Sequence, residues 1–67
     1  MARVTVNGDP VEIQDGATLR GLVLSLGQNP EKLVASLNDA IVRRAAYAET
    51  PVHDGDVIVL LAFVGGG

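Results

Sequence analysis

The chain has 67 residues, no cysteine and a single histidine, His53. A chain of this length makes one domain that buries only about 60% of the surface it exposes unfolded, and its composition excludes a disulfide scaffold, a structural zinc or iron–sulfur module and a cysteine nucleophile. Eight acidic against five basic side chains give a net charge of −3, the opposite of the clustered basic surface that nucleic-acid binding requires; the one basic pair, Arg43-Arg44, reads as a solvated strand end.

Apolar residues make up 48% of the sequence and mean hydropathy is +0.32, which excludes general disorder. Tyr47 and Phe63 are the only aromatic residues, so the core is expected to be aliphatic. The longest apolar run, Val57 to Val64, has eight residues, against the roughly 20 a spanning helix needs. Met1-Ala2-Arg3-Val4 lacks the build of a signal peptide. The expected setting is cytoplasmic, with neither membrane nor nucleic acid as a partner.

Taken in order, Arg3-Val4-Thr5-Val6-Asn7 alternates polar and apolar residues, the period of a half-buried strand. Asn7-Gly8 is a strong hairpin signal, because both residues accept positive φ at little cost. Val11-Glu12-Ile13-Gln14 resumes the alternation and should pair back, with Val4, Val6, Val11 and Ile13 on one face. Asp15-Gly16 breaks the strand. Thr18 is a candidate N-cap, and Leu19, Leu22, Val23 and Leu26 recur at helical spacing. They predict an amphipathic helix of about ten residues that Gly27 stops in a left-handed conformation. Gly21 inside it costs about 1 kcal/mol against Ala, and close packing on the sheet would explain its presence.

Pro30 lies in the connection that follows. Leu33 to Asn38 reads as a third strand, Asn38-Asp39 as a turn, and Ile41-Val42-Arg43 as a short fourth strand. Ala45 to Thr50 fits either a helical turn or a loop. Asp54-Gly55-Asp56 is a second clear turn, and it launches Val57 to Val64. This last strand is apolar on both faces, as strands in central or parallel positions are. Parity divides it into Val57, Val59, Leu61 and Phe63 on one side and Ile58, Leu60, Ala62 and Val64 on the other. The inward set is the one that matches Val4 and Val6. The other set is either ordinary burial or a docking surface, since one helix covers only one face of the sheet.

Hairpin, helix, further strands and a return strand parallel to the first give an α+β, ubiquitin-like β-grasp fold. It has a mixed four- to five-stranded sheet packed on one main helix. Residues 1–64 form the single domain and 65–67 a flexible glycine tail. Gly65-Gly66-Gly67 is either a frayed terminus or a working end. Glycines thread narrow channels and adopt any backbone conformation, and three of them extend roughly 10 Å. A terminal carboxylate is a poor electrophile until it is activated, for example as a mixed anhydride with AMP. The chain offers no nucleophile–base pair of its own, and His53 beside Asp54 reads as a solvated turn histidine. It is better read as a substrate or carrier than as a catalyst.

Asn7-Gly8 after the first strand, the Asp54-Gly55-Asp56 turn, the aliphatic last strand and the ending Phe63-Val64-Gly65-Gly66-Gly67 resemble the ThiS sulfur carriers of bacterial thiamine biosynthesis. The resemblance spans the whole chain, and the terminal Phe-Val-Gly-Gly-Gly is its most specific part. It implies that a ThiF-like enzyme, using ATP and magnesium, adenylates the Gly67 carboxylate. Sulfur from a cysteine desulfurase pathway then leaves a thiocarboxylate there, for a ThiG-like thiazole synthase to use. It further implies that Gly65 and Gly66 lie in the partner's channel, that Phe63 and Val64 contact its mouth, and that the chain itself binds no cofactor or metal. Two alternatives stay open. One is a MoaD-like small subunit of molybdopterin synthase or another thiocarboxylate carrier, against which Ala62-Phe63-Val64 stands where prolines are often found. The other is a ubiquitin-like interaction domain without covalent chemistry.

Overall fold

The computed structural model describes residues 1–62. Its elements are β1 (Ala2–Val6), β2 (Asp9–Ile13), α1 (Leu19–Ser25), β3 (Leu33–Leu37), β4 (Ala40–Val42) and β5 (Val57–Ala62), with 3₁₀ segments at Pro30–Lys32 and Arg44–Glu49. The strand order is β2-β1-β5-β3-β4. The final strand lies in the middle of the sheet, parallel to β1 and antiparallel to β3. This is the expected β-grasp, with five strands and one main helix.

Two tight turns set the hairpins. Asn7 and Gly8 have φ of 52° and 89°, the positive pair that a two-residue hairpin turn demands. The loop is therefore shorter than expected, and β2 begins at Asp9 rather than Val11. Pro10 is tolerated because β2 is an edge strand. Val4 sits opposite Val11 and Ala2 opposite Ile13, and Val4, Val6 and Ile13 are buried on one face while Val11 packs half-buried beside them. In the second hairpin Asn38 and Asp39 hold φ of 51° and 71°, and the same economy starts β4 at Ala40, one residue before the expected Ile41.

Thr18 caps α1 by accepting a hydrogen bond from the Gly21 N–H at 3.2 Å, and Leu19, Leu22 and Val23 are buried against the sheet. The helix has seven residues, not ten, because Leu26 at φ −85°, ψ 2° already leaves helical geometry and Gly27 follows at φ 76°. Gly21 faces solvent, and a Cβ there would meet only the Thr18 hydroxyl at 3.5 Å. Close packing on the sheet is thus not its role.

The ambiguous stretch after β4 is helical. Arg44–Glu49 turns Tyr47 into the core, where its hydroxyl donates to the Leu33 carbonyl at 3.3 Å. Arg43 is exposed, and the Arg44 guanidinium donates to the Glu31 carbonyl at 2.6 Å, tying the two 3₁₀ segments together. Among the described residues, no buried side-chain nitrogen or oxygen lacks a partner.

Candidate partner-binding site

The parity of β5 is settled by its neighbours. Ile58 (0% exposed) and Leu60 (9%) point at the helix, in register with Val6 and Ala35. Val57, Val59 and Leu61 point the other way and are 48%, 39% and 65% exposed. On that outer face Leu61 lies beside Val34, Val59 beside Ser36, and Ser36 beside the exposed Ile41. An apolar strip therefore follows the central strand, and among the described residues no helix covers it. Its rim carries the Arg3–Glu12 ion pair at 3.5 Å. Both side chains are well exposed, so the pair adds solubility more than stability.

The backbone of β5 is held by turn residues on both sides. At its start, Asn38 donates its N–H to the Val57 carbonyl at 2.7 Å and its Oδ1 accepts from the Val57 N–H at 2.9 Å. Further along, Asn7 donates its N–H to the Ile58 carbonyl at 2.9 Å. Its side-chain amide then grips Leu60 twice, Oδ1 accepting from the Leu60 N–H at 2.8 Å and Nδ2 donating to the Leu60 carbonyl at 3.2 Å. The Asp54-Gly55-Asp56 turn secures the approach. Asp54 Oδ1 accepts from the Arg3 N–H at 2.8 Å, and the Gly55 N–H, at φ 88°, donates to the Arg3 carbonyl at 2.8 Å.

Asp56 accepts from the His53 N–H at 2.7 Å and from Asn38 Nδ2 at 3.1 Å. Partial burial alone would raise its carboxyl pKa. The His53 N–H, the Asn38 amide and the nearby His53 ring together outweigh that and hold it below the ordinary carboxylate value. His53 itself is 74% exposed, with Nδ1 4.0 Å from Asp56 Oδ2. Its hydrogen-bonding partner in the turn is thus Asp56 and not the adjacent Asp54.

The residues expected to contact partners or carry the modification (Phe63, Val64, Gly65, Gly66 and Gly67) lie outside the described residues. They follow directly from Ala62 at the end of the central strand. Sequence reasoning missed the Asn7 grip on Leu60. Asn-Gly announces a turn by itself, and nothing local announces a partner 53 residues away. Among the described residues no three metal-binding side chains gather, and no helix is long and apolar enough to cross a membrane.

The family model described as "ThiS family" matches residues 4–67. The chain belongs to the ThiS family. The crystal structure of the thiamine biosynthesis protein ThiS from Geobacter metallireducens superposes with a TM-score of 0.82 at 32% identity, covering 97% of this chain and 99% of that one. Two thiazole synthases also contain a similar stretch. That of Magnetococcus marinus is 37% identical over 65 residues and that of Paramagnetospirillum magneticum 32% over 65. The match takes in 97% of this chain but only 20% of each thiazole synthase, so the chain spans about a fifth of their length.

Proposed function

We propose that this chain is a sulfur carrier for thiazole formation, acted on at its own Gly67 carboxylate rather than acting as a catalyst. The observation that carries this reading is the family match through residue 67, which takes in Phe63-Val64-Gly65-Gly66-Gly67 beyond the central strand. The thiazole synthases that contain a similar stretch support thiazole formation over molybdopterin synthesis as the destination of the sulfur.

In this reading residues 1–64 are the body that partners grip, and 65–67 are the tail that enters their active sites. A Gly67 carboxylate oxygen attacks the α-phosphorus of ATP in a ThiF-like activating enzyme, where magnesium balances the phosphate charge and pyrophosphate leaves. A sulfur nucleophile supplied by a cysteine desulfurase pathway then attacks the Gly67 carbonyl carbon, and AMP leaves. If the donor is a persulfide, a second thiol cleaves the sulfur–sulfur bond and frees the thiocarboxylate. A ThiG-like thiazole synthase takes the sulfur and returns a carboxylate. The chain needs no cofactor of its own, and the cytoplasm is where ATP and the sulfur donor meet it. Gly65 and Gly66 occupy the partner channel, Phe63 and Val64 its mouth, and the strip of Val57, Val59 and Leu61 is the grip. Incubation with the activating enzyme, ATP and a sulfur donor is expected to raise the intact mass by about 16 Da, one oxygen exchanged for sulfur. No gain under conditions where a known carrier reacts would overturn the reading, and Gly67→Ala should abolish the gain with the fold intact.

A further inference from the structure

We propose that Asn7 is a positioning residue for the reactive end: its side-chain amide takes the place of a missing strand beside Leu60 and sets the direction in which the chain leaves the sheet toward Gly67. The inference rests on the carrier reading above.

Strand β1 pairs with β5 only at Thr5–Val57 and Val6–Ile58, and then turns away into its hairpin at Asn7-Gly8. On the other side β3 accompanies β5 all the way to Ala62. Beyond Ile58, β5 would therefore belong to a two-stranded ribbon, and such ribbons twist more than strands held on both sides. Leu60 is nearly buried, and its N–H and carbonyl would lose their partners on the β1 side, a costly state for backbone groups removed from water. The Asn7 amide answers both needs. It donates and accepts like a peptide group, at 3.2 and 2.8 Å, from a turn residue with φ of 52°. A groove of about 370 Å³, lined by Asn7, Leu26, Leu60 and Ala62 among others, opens beside the amide on the helix side of the sheet. Among the described residues no other side chain hydrogen-bonds Leu60.

Gly67 lies seven residues beyond Leu60, a reach of at most roughly 23 Å when extended, so a change of about 10° in the twist of the β3–β5 ribbon at Leu60 can move the end by up to about 4 Å. Glycines beyond it can search for the active site again, but each added direction dilutes the local concentration of the carboxylate there. The docking strip is affected differently. Val59 and Leu61 are kept in register by β3, and Val57 by Thr5 of β1 and by Asn38, so the grip on a partner should survive loss of the amide while delivery of the end should not.

Asn7→Gly is the informative variant, because glycine accepts the positive φ of the turn and removes the side-chain bonds, at the cost of added backbone freedom that a destabilised control must match. Thr18→Ala serves as a control that destabilises the domain from the helix, away from β5. Three quantities are read for each: amide exchange at Leu60, the Kd for the adenylating partner that modifies the wild-type chain, and the rate of mass gain at saturating partner. For Asn7→Gly, Leu60 should exchange faster, Kd should stay within about twofold, and the saturating rate should fall about tenfold, less than a rigid misplacement of reacting groups costs. Thr18→Ala should keep the wild-type saturating rate. A full saturating rate in Asn7→Gly with faster Leu60 exchange would overturn the proposal and leave the amide a purely structural bond. Should Asn7→Gly fail to fold, Asn7→Asp keeps the acceptor and loses the donor. An intermediate rate with unchanged Kd then supports the proposal, and a wild-type rate overturns it. Absence of mass gain in the wild-type chain is a separate failure, that of the carrier reading itself.

Discussion

The hydroxyl of Tyr47 donates to the carbonyl oxygen of Leu33 at 3.3 Å, from a ring only 2% exposed. One bond joins the 3₁₀ segment to the first residue of β3 and closes the core beneath the sheet. Tyr47→Phe keeps the ring and leaves the Leu33 carbonyl without this partner, so it should cost about 1 kcal/mol. Tyr47→Ala also opens a cavity and should cost about 3–5 kcal/mol. Urea midpoints at constant m-value measure both.

The two sides of β5 should respond oppositely to truncation. Ile58 is fully buried and Leu61 is 65% exposed. Ile58→Ala should lose about 2–5 kcal/mol, whereas Leu61→Ala should stay within about 0.5 kcal/mol. Thermal melts of the two variants check this.

If the outer strip is the grip, a charge there should cost affinity and not stability. Val59→Asp, in the middle of the strip, should weaken binding to the activating enzyme about tenfold or more, the size of one desolvated contact in an interface. Its melting temperature should stay near that of the wild type. Titration calorimetry alongside a thermal melt separates the two effects, and unchanged affinity would leave the strip without a docking role.

The helix cap gives a smaller effect. Thr18→Ala removes the acceptor of the Gly21 N–H and should cost about 1 kcal/mol, visible as a lower urea midpoint.

Asp56 sets an acid limit on stability. Its folded pKa lies below the unfolded one, so its carboxylate contributes stability that is fully present above the unfolded value of about 3.9 and is lost as pH falls through the folded value. Between about pH 5 and pH 3 the wild-type urea midpoint should therefore fall more steeply than that of Asp56→Asn. Parallel slopes in the two proteins would show that Asp56 contributes nothing to the acid limb.

Features set by near neighbours were legible in the sequence. Asn7-Gly8 and Asp54-Gly55-Asp56 announced turns because their conformational preferences are local, and Leu19, Leu22 and Val23 announced a helix face by spacing alone. The residues from 44 to 49 carry no such period, and their 3₁₀ turn buries a single side chain, Tyr47, against the core. Both faces of β5 are apolar, so composition could not tell Ile58 from Val59. The register with Val6 decides it, through a contact 52 residues distant in sequence. The pair of hydrogen bonds between Asn7 and Leu60 was hidden for the same reason, because turn chemistry already accounts for an asparagine at that position.

The central place of β5 has a consequence for how the molecule is made. Until residue 62 is available, the nascent chain can form only two separate hairpins, β1–β2 and β3–β4, with no strand between them. Isolated hairpins are marginal in water, and the pairing of β1 with β5 spans more than fifty residues, a slow, non-local closure. Folding thus waits for the last strand to be synthesised. A chain cut short before β5 lacks the strand that joins the two hairpins and, with it, the outer strip, so it cannot compete with finished copies for a partner.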